Sequence, residues 1–125
     1  MTESCSERLL LKPGRKLYLL NAPAGIFSAI GELPPFARMA DSPQEADVCV
    51  LFVHTFAELM SVFAGAIALV KEDGLFWVAF PKKNEKMDIN LDRDHVSIYV
   101  NVLGWQGRRL AALNDTWTAL LVTRK

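Results

Sequence analysis

Three short stretches of the chain are almost wholly apolar: Lys16–Leu20, Val48–Val53 and Leu75–Phe80. Each is five or six residues of mostly branched and aromatic side chains, the signature of a strand buried on both faces. Between them the period changes. Over Thr55–Val70, Phe56, Leu59, Met60, Phe63, Ile67 and Val70 recur at helical spacing, with Val62, Ala66 and Leu69 as a second apolar stripe. Thr55 and Glu58 stand at capping-box spacing, and Gly74 reads as the C-terminal stop. A shorter helix is expected over Gly25–Ile30, where Ile26, Phe27 and Ile30 share a face and Gly31 ends it. Ser42, Pro43 and Glu45 predict one isolated helical turn. Asn90 reads as the cap of a further helix over Leu91–Leu103, stopped by Gly104. Phe36–Ala40 is a weak strand candidate after Pro34-Pro35, and Trp105–Leu113 and Trp117–Thr123 read as a hairpin turning at Asn114-Asp115.

Continuous apolar strands alternating with helices predict an α/β fold: a Rossmann-like three-layer sandwich, mostly parallel, with an antiparallel hairpin at the C-terminus. Right-handed crossovers give the strand order 2-1-3-4-6-5, with only the last strand reversed. Residues 1–7 read as a polar tail and 8–125 as one domain. One conflict stands inside this pattern. About seven residues separate Ala40 from Val48, whereas a parallel crossover normally takes about a dozen. Phe36–Ala40 is therefore either a short edge strand on a tight link or no strand.

Composition narrows the classes. The chain has 125 residues, 51% hydrophobic and 22% charged, so it has apolar surface enough for one core. Its 14 basic and 14 acidic side chains cancel, which speaks against non-specific nucleic-acid binding. The run Leu59–Val70 falls short of the roughly 20 apolar residues a membrane span needs. The start of the chain lacks the basic and apolar regions of a signal peptide. Cys5 and Cys49, far apart, predict reduced thiols and a cytoplasmic protein. The second stripe of the long helix needs a cover, either a neighbouring helix or a second copy in a homodimer.

In an open parallel sheet, ligands bind over the carboxyl ends of the strands. Chain order brings Asn21, His54, Lys82, Lys83 and the turn residue Asp115 to that edge, and these are the candidate ligand-binding residues. His54 ends the central strand, where an imidazole can exchange a proton near neutral pH. Lys82, Lys83 and Lys86 form a basic loop suited to an anion. His95 reads as a surface residue, and Trp117 as a strand residue packed on the last helix. No nucleophile elbow and no metal-ligand spacing is present. Asp88, Asp92 and Asp94 lack the glycine and glutamate of a calcium loop and fit better as first-turn acids.

An ordered set of segments adds to this reading. Lys12-Pro13-Gly14, then Asn21-Ala22-Pro23-Ala24-Gly25, then Gly74–Lys83 (GLFWVAFPKK), then Asp115-Thr116-Trp117 resemble the KPG, NAPxG, DGxxWxxxPK and DxW pattern of a bacterial family of short proteins with no assigned activity. More distantly, Val48–Thr123 is similar in element order to a shortened class I methyltransferase. That resemblance implies an adenosyl cofactor on the loop Asn21–Gly25, with Asp41 near its ribose. Here the loop has one glycine, and Pro23 lacks an amide donor. S-adenosylmethionine is therefore expected to bind weakly or not at all, and no cofactor is expected. The sequence favours a non-catalytic module binding a small molecule or a protein, with a shortened methyltransferase-like enzyme as the alternative.

Overall fold

The structure, a computed structural model, describes residues 8–31, 33–82 and 91–125. The expected tail, Lys83, Lys86 and Asn90 lie outside the described residues. The elements in chain order are β1 (Lys16–Leu20), α1 (Ile26–Ile30), β2 (Arg38–Met39), a 3₁₀ turn (Pro43–Glu45), β3 (Val48–Phe52), α2 (Phe56–Leu69), β4 (Leu75–Pro81), α3 (Arg93–Val102), β5 (Trp105–Ala112) and β6 (Trp117–Arg124).

The six strands form one sheet in the order β2-β1-β3-β4-β6-β5. The pairs β2–β1, β1–β3 and β3–β4 are parallel, and β6 is antiparallel to both its neighbours. This is the order the crossover argument gives, with β6 as the one reversed strand. The fold is thus Rossmann-like, mostly parallel, and closed by a C-terminal antiparallel hairpin.

Strand alternation divides the core between two faces. All five residues of β3 are buried. Val48, Val50 and Phe52 join Trp77, Ala79, Trp117, Ala119 and Leu121 on one side. Cys49, Leu51 and Val53 join Phe76, Val78, Phe80, Leu120 and Val122 on the other. The first face is covered by Ile26 and Ile30 of α1 together with Leu9 and Leu11. There the buried indole Nε1 of Trp77 donates to the Leu9 carbonyl at 3.1 Å, which spares the core an unpaired donor. The second face is covered by Leu59, Phe63 and Ala66 of α2 and by Val96 and Val100 of α3.

Contact between α3 and β5 depends on Gly107. A Cβ there would stand 2.9 Å from Leu120 Cδ2 and 3.1 Å from Ser97 Oγ. The strand register also shifts between Gly107 and Arg109, a bulge beside the point where the helix crosses.

Several local expectations need correction. The cap of α3 is Asp92, whose carboxylate accepts from the His95 amide at 2.9 Å, so the helix starts later than a cap at Asn90 requires. The helix α2 closes at Val70 through an amide bond to Ile67, and Gly74 lies in the following turn rather than at the cap. Met60, assigned to the buried stripe, is 47% exposed. Part of α2 is instead covered by α3: Tyr99 stacks edge-on against Phe56 and Phe63, and its hydroxyl donates to the Met60 carbonyl. The second-strand candidate shrinks to two residues, which resolves the short-link conflict in favour of a small edge strand. Ser42 precedes the 3₁₀ turn without a side-chain capping bond. The hairpin is longer than an Asn114-Asp115 turn: both the Leu113 and Asn114 amides donate to the Trp117 carbonyl, and Asn114 Oδ1 accepts from the Thr116 and Trp117 amides.

Candidate functional site

Strand order reverses between β1 and β3, and the loops that leave these two strands diverge there. Asn21 is the first residue beyond β1 and adopts a left-handed backbone, φ 59°, which Asn tolerates better than most residues. That geometry turns its side chain across the reversal. Nδ2 donates to the Phe52 carbonyl at 2.9 Å and to Glu58 Oε1 at 3.0 Å.

Glu58 is the junction of the cluster. Its backbone amide donates to the Thr55 hydroxyl, which starts α2, while its carboxylate reaches back to the His54 amide at 3.1 Å. The same oxygen lies 3.6 Å from His54 Nδ1. The capping spacing visible in the sequence thus also fixes the strand-end residues Asn21 and His54. Read from sequence, Glu58 is only a cap; its link to Asn21 spans 37 positions and has no local signal.

Trp117 is the second residue whose role is nonlocal. Its ring meets His54 edge-on at 5.1 Å between centroids and Phe52 at 5.3 Å. It therefore packs at the end of β3 and walls one side of His54, and it belongs to the core face opposite α3. Through β6, Trp117 pairs with Pro81 at the end of β4. The Lys82 amide then donates to the Thr116 carbonyl at 2.7 Å, tying the end of β4 to the hairpin loop that carries Asp115.

Asn21, His54, Lys82 and Asp115 thus share the carboxyl edge, in two groups bridged by Trp117. Asn21 and His54 form one group through Glu58. Lys82 and the Asp115 loop form the other through backbone. Lys83 lies outside the described residues. His95 is on the surface and faces Phe56, with Nδ1 held 2.7 Å from Asp92 Oδ1.

Beyond Asn21, the loop to α1 is open. Ala22, Ala24 and Gly25 are exposed, and their amides make no backbone hydrogen bond among the described residues. Gly25 has φ 81°, and nothing lies within 4 Å of the position a Cβ would take. Asp41 is exposed two residues beyond β2, the strand next to β1. Among the described residues no group of three His, Cys, Asp or Glu side chains is gathered as a metal site. Nor is any helix of the described residues long and apolar enough to cross a membrane.

The opposite edge carries a cavity of about 440 Å³, whose lining includes Lys71, Glu72, Asp73 and Arg124. A smaller one of about 220 Å³ lies near Arg15 and Asp47. Neither cavity is lined by Asn21, His54, Lys82 or Asp115.

No protein-family model and no curated protein sequence matches this chain. By structure, the chain is similar to a SAM-dependent methyltransferase from Aquifex aeolicus, with TM-score 0.57 and 14% identity over 93% of this chain and 85% of the other. It is also similar to a tRNA methyltransferase of B. subtilis, with TM-score 0.55 and 7% identity over 100% of this chain and 67% of that one. A third similarity is to DhpI, solved in complex with SAH, with TM-score 0.55 and 9% identity over 91% and 78% of the two chains. At these identities the likeness is one of fold, and it bears out the distant resemblance in element order to a methyltransferase.

Proposed function

We propose that this chain is a shortened methyltransferase-like domain that binds an adenosyl ligand of the SAM or SAH type at the β1–β3 reversal. The observation that carries the reading is the open loop Ala22–Gly25. The amides of Ala22, Ala24 and Gly25 have no backbone partners among the described residues, and Gly25, in a left-handed conformation, has no Cβ to block a ligand's approach to the backbone. Asp41, exposed past the neighbouring strand, supplies a carboxylate acceptor for ribose hydroxyls. Pro23 still removes one donor, so the affinity is modest rather than absent. SAM, when bound, supplies an activated methyl group.

The proteins of similar fold include ones named for SAM dependence or solved with SAH. Their company favours this reading over a non-catalytic interaction module. On the acceptor side, His54 lies against Trp117, which pairs with Pro81, next to Lys82 and the hairpin loop carrying Asp115. Glu58 lies on the Nδ1 side of the His54 ring and Trp117 against its edge, which leaves the exposed imidazole facing the proposed acceptor.

The reading is tested by titrating SAH into isotopically labelled protein and following backbone amide shifts. Saturable shifts confined to Ala22–Gly25, Asp41 and the His54 neighbourhood are expected. A titration that leaves those amides unmoved rejects the site.

A further inference from the structure

The amino edge of the sheet holds a cavity that the proposed function does not use. Its volume, about 440 Å³, falls within the range of roughly 300–1,000 Å³ common to small-molecule sites. The C-terminal turn of α2, the start of β4 and the ends of the β5–β6 hairpin enclose it. The partly exposed Ile67, Val70 and Trp105 give it an apolar wall, with the buried Phe76 and Val122 behind them.

The charges at its mouth are separated by their bonding. Lys71 is committed to Asp47 at 2.6 Å. Arg124 stacks its guanidinium 5.0 Å above the Trp105 ring and has no acidic partner among the described residues. Stacking leaves the in-plane N–H groups of a guanidinium free to grip a carboxylate. Glu72 and Asp73 also line the cavity, are exposed, and likewise form no ion pair among the described residues. They lie in the turn after α2, beyond its cap Val70 and Lys71, near the last helix carbonyls and their negative potential. The mouth therefore offers a guanidinium for an anion and two carboxylates for a cation, beside an apolar wall.

We infer that this cavity binds a zwitterion with an apolar body: an α-amino acid with a large apolar side chain. Its carboxylate pairs with Arg124, its ammonium lies against Glu72 and Asp73, and its side chain lies against Ile67, Val70 and Trp105.

The test is a titration of labelled protein with L-phenylalanine, following the Trp105 indole N–H and the Gly74 amide. Phenethylamine and 3-phenylpropionate serve as probes with one charge each. Saturable shifts with L-phenylalanine are expected, with each single-charge probe binding at least five-fold more weakly. Arg124→Gln should weaken L-phenylalanine and 3-phenylpropionate at least five-fold and leave phenethylamine unchanged. Arg124 is exposed at a strand end, so the variant should keep its fold, which the unperturbed remainder of the spectrum verifies. No saturable shift with L-phenylalanine, equal binding of the single-charge probes, or equal L-phenylalanine affinity in Arg124→Gln overturns the assignment. Failure here is distinguishable from failure of the adenosyl site, whose reporter amides lie at the opposite ends of the strands.

Discussion

Asn21 Nδ2 bonds the carbonyl of Phe52, so the first residue past β1 is fastened to the last residue of β3 across the point where strand order reverses. The same nitrogen reaches Glu58, which couples both strands to the start of α2. Asn21→Ala removes both bonds and leaves a Cβ-bearing residue at φ 59° without the local stabilisation Asn provides. A loss of about 1–3 kcal/mol is expected in urea unfolding. Asn21→Gly, which is free of the backbone strain, should lose less, and equal losses for the two would argue that strain is unimportant there.

Asp47 provides a pH dependence with a definite sign. Partial burial pushes its carboxyl up, but the Lys71 hydrogen bond, the Lys16 amide and the charges of Lys71 and Arg15 outweigh this and hold it below the ordinary value. A carboxyl lowered by folding contributes stability above its unfolded pKa, near 3.9, and that contribution is lost as pH falls through the folded value. Stability should therefore drop between about pH 4 and lower pH in the wild type. Asp47→Asn should be less stable at neutral pH and show a shallower acid slope, measured by denaturant unfolding at several pH values.

Cys49 sits fully buried in β3, and burial pushes its thiol pKa up to about 12. The thiolate is the reactive form, so the native thiol should resist a disulfide reagent at neutral pH and react once the chain is unfolded. With Cys5→Ser as background, the native protein should titrate close to no thiols and the denatured protein one. Rapid native labelling would show that β3 is not held at the sheet centre.

Gly107 is expected to be intolerant for reasons of space. Gly107→Ala places a Cβ against Leu120 and Ser97, so either α3 lifts from β5 or Leu120 changes rotamer. A loss of about 1–3 kcal/mol in thermal or urea unfolding follows from overpacking of this kind. No loss would mean that Leu120 adapts freely.

Sheet order was legible because it follows from a few robust constraints. Val48–Val53 and Leu75–Phe80 are apolar on both faces, which forces them to the centre, and right-handed crossovers place the rest. The convergence of Asn21, His54, Lys82 and Asp115 on one edge followed from chain order alone. What joins them did not. Glu58 reads locally as a capping residue, and only its approach to Asn21 in space gives it a second role. Trp117 reads as packed on the last helix because alternation along β6 cannot by itself say which face is which. Asp92, rather than Asn90, caps α3; both residue types are good caps, so the local sequence does not choose between them. The amino-edge cavity is made by chain segments more than 30 positions apart, such as Lys71 and Trp105, and has no sequence signature.

The central claim, an adenosyl ligand seated on the Gly25 loop, is tested most directly by calorimetric titration of SAH into the wild type, Gly25→Val and Asp41→Ala, each checked for folding by circular dichroism. One-site binding by the wild type is predicted, at least ten-fold weaker in Gly25→Val, whose side chain fills the open approach, and measurably weaker in Asp41→Ala. No binding by the wild type at millimolar SAH, or the same affinity in all three proteins, would contradict it.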